Sequence, residues 1–133
     1  KNSERILSEI KAYMMKKVDE YDVVILDSIS PMVRNSSEES ILNFLSFCKE
    51  IVGKGKTIII TSHFSDFSKI TNTAIIGASD VYLKLGTIVV GDKEVKTLKA
   101  IKMLGAQDTP ATGAALTVER QVSNIVRSVV DLG

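Results

Sequence analysis

The chain has 133 residues, enough for one domain with a real core and too few for two. Hydrophobic residues make up 44% and charged residues 25%, as in an ordinary soluble globular protein, and a net charge of +1 gives no global field toward nucleic acid or an anionic membrane. The single Cys48 excludes an internal disulfide, which fits a reducing cytoplasm, and no apolar run reaches bilayer length or follows a charged stretch as a signal peptide would.

The chain begins at Lys1 rather than Met, inside a helical pattern, as expected of a piece of a longer protein. From Ser3 to Glu20, Ile6, Leu7, Ile10, Met14 and Val18 recur at helical spacing and predict an amphipathic helix, with Asn2 or Ser3 able to cap its start. Four aliphatic residues, Val23-Val24-Ile25-Leu26, then run into Asp27-Ser28-Ile29-Ser30. A continuous apolar run of this length predicts a parallel strand covered on both faces. Open parallel sheets bind ligands at the carboxyl ends of their strands, so Asp27 stands at the ligand edge. A strand ending in Asp-Ser can equally be starting a turn.

Pro31 biases Ser30 away from helix and predicts a polar connection over residues 30–35. Ser36 and Glu39 have the capping-box form for a helix beginning near Ser37. Ile41, Leu42, Leu45, Cys48 and Val52 give that helix its stripe, which Phe44 and Phe47 widen. On the stripe, Cys48 reads as a small core residue rather than a nucleophile. Gly53 and Gly55 end the helix, and Thr57-Ile58-Ile59-Ile60-Thr61 predicts a second buried strand running into Ser62-His63. A strand, a helix and a strand make a β-α-β unit. Asp27 and the Ser62-His63 pair then emerge at one sheet edge. His63 is the only histidine, so it reads as a hydrogen-bonded loop residue or a site residue, not as a member of a metal cluster.

A short helix is expected from Asp66 to about Ile76, with Phe67, Ile70 and Ala74 inward and Gly77 at its end. A strand begins near Ser79 and breaks at Gly86, and Thr87–Val90 and Glu94–Met103 alternate as a hairpin around Gly91-Asp92-Lys93. Residues 105–113 read as a loop. Leu116–Glu119 and Ile125–Val130 read as closing strands separated by residues 120–124.

In order and spacing these segments resemble the second half of the ATPase core of the RecA superfamily, in its KaiC-like branch. Within that branch the chain is similar to the archaellum (archaeal flagellum) accessory ATP-binding type. Val23 to Ser30 match a Walker B strand, Lys56 to His63 the next strand with its polar sensor end, Ala78 to Leu85 a late strand, and Lys96 to Gly105 the hairpin arm. The resemblance implies an α/β fold: the C-terminal half of a RecA-like P-loop NTPase core, a parallel sheet flanked by helices and followed by an antiparallel hairpin. It implies ATP and Mg²⁺ as cofactors of the full-length parent, with Asp27 on the metal, Ser28 beside it, Ser62 or His63 toward the γ-phosphate, and Lys102 reaching a neighbouring subunit. It implies as partners copies of itself in a ring or dimer, the archaellum motor ATPase and the membrane platform protein. The implied location is cytoplasmic, at the inner membrane face through those partners.

Two departures stand out. No G-x-x-x-x-G-K-[ST] is present to cradle phosphate, and the family's usual catalytic acid also lies upstream of Walker B. Where the branch carries Lys-x-Arg, Lys102 is followed by Leu104, so the cross-subunit arginine is missing. The resemblance therefore implies a nucleotide-gated assembly factor with weak or no hydrolysis, and whether the parent is an enzyme stays open. Two alternatives stay open as well. One is a clock-like or recombinase-like ATPase, although residues 105–113 hold no basic or aromatic residue for single-stranded DNA. The other is a non-catalytic interaction module on the same fold. A half-core would leave strand edges free to pair with another chain.

Overall fold

The structure, a computed structural model, describes residues 2–104, 113–116 and 129–130. It divides into two compact units, Lys1–Ala78 and Ser79–Gly133. The first unit runs α1 (Asn2–Lys16), a 3-10 turn (Val18–Glu20), β1 (Val23–Leu26), α2 (Ser30–Val33), α3 (Glu38–Gly53), β2 (Thr57–Ile60), a 3-10 turn (Phe64–Asp66) and α4 (Lys69–Ala78). β1 and β2 pair in parallel, in register from Val23 opposite Thr57 to Leu26 opposite Ile60. Parallel neighbours need a crossover, which α2 and α3 supply.

The first helix stops at Lys16, short of the expected Glu20. The Tyr21 hydroxyl donates to the Met14 carbonyl at 2.9 Å, tying the last turn of α1 to the start of β1. Leu7 and Met14 are buried on the predicted stripe, while Ile6 lies at its margin, 36% exposed. On α3 the buried residues are Ile41, Phe44, Cys48 and Ile51, whereas Leu42 is 41% exposed. The stripe is thus rotated toward Phe44 and Ile51, which are almost fully enclosed. Burying one such side chain stabilises by about 1.5–3 kcal/mol. The core gathers Leu7, Ile29, Val33, Ile41, Phe44 and Cys48, with Leu26, Ile58 and Ile60 of the sheet packed against it.

Three local expectations are corrected. Ser37, not Ser36, caps α3: its hydroxyl accepts from the Ser40 N–H at 3.2 Å, while the Ser36 hydroxyl turns back to the Met32 carbonyl. Ser30 is helical, because Pro31 falls in the first turn of α2, where a missing N–H costs nothing. The strands are not covered on both faces. Val23, Ile25 and Ile59 are 51%, 64% and 47% exposed, while Leu26, Ile58 and Ile60 face the core.

α4 starts at Lys69; Phe67 just before it packs against the core as expected, but the helix itself is tied down by polar contacts. The Ser68 and Thr71 hydroxyls donate to Glu38 Oε1 at 2.5 and 2.7 Å, joining the starts of α3 and α4. Asn72 Nδ2 donates to the Phe64 and Phe67 carbonyls. Thr71 and Asn72 are consequently buried and Ile70 is 76% exposed. Gly77 lies inside the helix, not beyond it.

In the second unit, β3 (Val81–Val90) and β4 (Lys93–Met103) form one long antiparallel hairpin. The turn is Gly91-Asp92, with Gly91 at φ +66°, a conformation that favours glycine. Gly86 does not break β3. It faces Thr97, and a Cβ there would come within 2.9 Å of the Thr97 hydroxyl, so glycine is what the close pairing admits. β5 (Gly113–Leu116) pairs with β4, and β6 (Val129–Val130) pairs with β5. The expected closing strands therefore meet the structure only at Leu116 and at Val129–Val130. Residues 105–112, 117–119 and 120–128, which hold the rest of the expected loop and strands, lie outside the described residues. Among the described residues, no helix is long and apolar enough to cross a membrane.

Candidate functional site

The site is built by parallel register. Leu26 and Ile60 are partners, and the ladder continues one step as the Thr61 N–H donates to the Leu26 carbonyl at 3.1 Å. Asp27 and Thr61 are thereby brought side by side where the strands end. The Thr61 hydroxyl donates to Asp27 Oδ1 at 2.5 Å. The Thr61 carbonyl accepts from the Ile29 N–H at 2.9 Å, closing the loop after β1 onto the end of β2.

Ser30 makes a second clamp. It is 1% exposed, and its Oγ accepts from the His63 N–H at 2.8 Å. Beside it Ile29 is buried in the core. The chain enters and leaves this corner on fixed points, while Asp27, Ser62 and His63 stay exposed and Ser28 is half-buried. The Asp27–Ser28 peptide bond is cis.

The structure thus brings four predicted site residues, Asp27, Ser28, Ser62 and His63, to the ends of two adjacent strands. Lys102 belongs to the other unit, on β4 opposite Tyr82, half-buried. Leu104, where the resemblance implies an arginine, is 65% exposed and donates its N–H to the Asp80 carbonyl at 2.8 Å. Thr61 and Ser30 were not singled out from the sequence. Thr61 was findable by counting one residue past each apolar run. Ser30 was not, because its role depends on the turn into α2.

All side-chain donors at the strand ends apart from the His63 imidazole are oxygens, one carboxylate among hydroxyls. Among the described residues, no group of three or more His, Cys, Asp or Glu gathers to form a protein cage for a metal. A lone carboxylate suits Mg²⁺, which keeps several waters and takes one or two carboxylates together with phosphate oxygens. Cys48 lies elsewhere, in the core. Burial pushes its thiol up to about 11, against a smaller opposing effect of Lys11, so it is no nucleophile at neutral pH. A cavity of about 540 Å³ lies between α1 and β1, walled by Ile6, Ile10, Tyr13, Met14, Tyr21 and Val24, with Glu9 at its rim. It does not include Asp27 or the loop after β2, and its apolar walls offer nothing to hold a phosphate.

No protein-family model matches the chain. Among curated proteins it is similar to the archaeal flagellar ATP-binding protein FlaH of Sulfolobus acidocaldarius, 32% identical over 103 residues, 77% of this chain and 44% of that protein. Among solved structures it is similar to the flagellar accessory protein FlaH from Methanocaldococcus jannaschii, with a TM-score of 0.71 and 23% identity over 85% of this chain and 50% of that one. The chain spans about half the length of these two relatives.

Proposed function

We propose that this chain, which is similar to FlaH over about half of that protein's length, is the C-terminal portion of a RecA-like ATP-binding domain serving the archaellum motor. The observation that carries this reading is the exposed Asp27 carboxylate at the end of β1, fixed beside the polar end of β2. Bound Mg²⁺ would supply neutralisation of phosphate charge. Asp27 would hold the metal through its water shell, with Ser28 next to it. Ser62 or His63, on the loop leaving β2, would meet the γ-phosphate. Lys102 acts across a subunit boundary in a ring.

Leu104 offers no charge where an arginine would stabilise the transition state, a contribution that can reach several powers of ten in rate. The protein therefore holds ATP and hydrolyses it weakly or not at all, and bound nucleotide gates its assembly with copies of itself, the motor ATPase and the membrane platform protein. The relatives' printed names, ATP-binding and flagellar accessory protein, support the nucleotide and the setting.

The test is Asp27→Asn in the full-length protein, with ATP affinity measured with and without Mg²⁺. The expected result is a loss of about ten- to a hundredfold in the Mg²⁺-dependent affinity, the range of one hydrogen bond to a charged group, with metal-free binding retained. An unchanged Mg²⁺ dependence would sink the assignment of Asp27.

A further inference from the structure

We propose that Thr61 is the positioning residue for Asp27, and that its hydroxyl decides which carboxylate oxygen is presented to a nucleotide-bound cation. The inference rests on the reading of Asp27 given above and assigns a role to a residue outside the set expected from the sequence.

Thr61 is held at three points. Its N–H is spent on the Leu26 carbonyl and its carbonyl on the Ile29 N–H, so the backbone on both sides of its Cα is fixed. Its side chain is β-branched, which restricts rotation about χ1. The hydroxyl has one proton, and at 2.5 Å that proton is given to Asp27 Oδ1. A hydrogen bond to an ionised carboxylate is about twice as strong as a neutral one. Asp27 itself is exposed and follows the last residue of β1, so no packing fixes its carboxylate. The Thr61 hydroxyl therefore supplies the restraint. With Oδ1 engaged, Oδ2 is the oxygen left to meet the water shell of a cation.

Outer partners of this kind orient metal-binding groups, and losing one costs about ten- to a hundredfold in metal affinity. Valine is isosteric with threonine but has no proton to give. Serine keeps the proton and loses only the methyl group. The two substitutions thus separate the hydrogen bond from the shape of the residue.

The experiment uses the full-length protein with ATP and Mn²⁺ as a spectroscopic substitute for Mg²⁺, reading free Mn²⁺ by electron paramagnetic resonance. ATP affinity without metal is measured alongside. Thr61→Val is expected to weaken Mn²⁺ binding in the presence of ATP about tenfold. Metal-free ATP affinity should stay unchanged, and Thr61→Ser should restore most of the loss. Where Thr61→Val does not give folded protein, Thr61→Ala takes its place. Wild-type Mn²⁺ affinity in Thr61→Val, with Asp27→Asn strongly impaired, overturns the role of Thr61 and leaves the role of Asp27 intact. Equal losses in Val and Ser variants, extending to metal-free ATP, would make Thr61 a structural residue only and overturn the inference. Wild-type Mn²⁺ affinity in Asp27→Asn overturns the underlying reading and this inference with it.

Discussion

Ser30→Ala tests the clamp that holds the two strand-end loops together. Ser30 opens α2, is 1% exposed, and its Oγ takes the His63 N–H at 2.8 Å. Alanine removes this acceptor and leaves a void the size of one hydroxyl. A typical intramolecular hydrogen bond contributes about 1 kcal/mol net, and an orphaned buried group costs about 1–3 kcal/mol. His63 is exposed, so water can replace the lost acceptor and the lower figure applies. One kcal/mol corresponds to about a fivefold change in an equilibrium constant, at 1.4 kcal/mol for each factor of ten. The His63 amide should therefore exchange with solvent about fivefold faster. The Ile29 amide, bonded to the Thr61 carbonyl, is an internal control whose bond the substitution leaves in place. Residue-resolved hydrogen exchange by NMR reads both. If His63 exchange is unchanged, Ser30 does not hold that amide. If Ile29 and His63 accelerate together, the loops open as one unit and the clamp is not separable. Either outcome refutes the local account.

Two further predictions concern the first unit. Burial holds Cys48 protonated up to about 11 against an ordinary 9.0, so this stabilising contribution is complete below pH 9.0 and is lost as pH rises toward 11. The corresponding thiol assay should show Cys48 inert to Ellman's reagent at pH 8 in the native chain and quickly labelled in denaturant. The Glu38 carboxyl is held below its ordinary value of 4.5, first by the Ser68 hydroxyl and then by that of Thr71, with desolvation opposing. A depressed carboxyl pKa stabilises above the unfolded value and loses that contribution as pH falls through the folded one. Thermal melts between pH 6 and 3 should show Glu38→Gln with a flatter acid limb than wild type, and parallel limbs would remove Glu38 from the account.

Much of the site was legible because strand ends are easy to place. Four consecutive aliphatic residues before Asp27 and a second apolar run before Ser62 leave little choice of where each strand stops. The helix between them requires that they run parallel, so the two polar ends share an edge. Helix faces were harder. α3 offers eight apolar residues from Ile41 to Val52, an arc wide enough that its centre is undetermined, and packing chose Phe44 and Ile51 over Leu42. On α4 an apolar pattern pointed Ile70 inward. The hydroxyls converging on Glu38 and the two bonds from Asn72 outweighed one isoleucine and turned it to solvent. A hydrophobicity pattern has no means of counting such bonds, because their partners are about 5 to 33 residues away in sequence.

The strands carry the most instructive mismatch. Val23, Ile25 and Ile59 read as residues of a doubly covered sheet, yet their face is open. A lone exposed aliphatic residue needs no explanation, but three on one face of two paired strands form a patch. Under the proposed function that patch has a physical reason. The match to the relatives spans only about half of their length, and the resemblance places the phosphate-binding loop ahead of β1. An apolar run encodes the surroundings of a strand in the whole fold, whereas the hydrogen bonds of Asp27, Thr61, Ser30 and His63 are made between residues of this unit alone. Under the proposed function, what Asp27 binds is a question for the full-length protein.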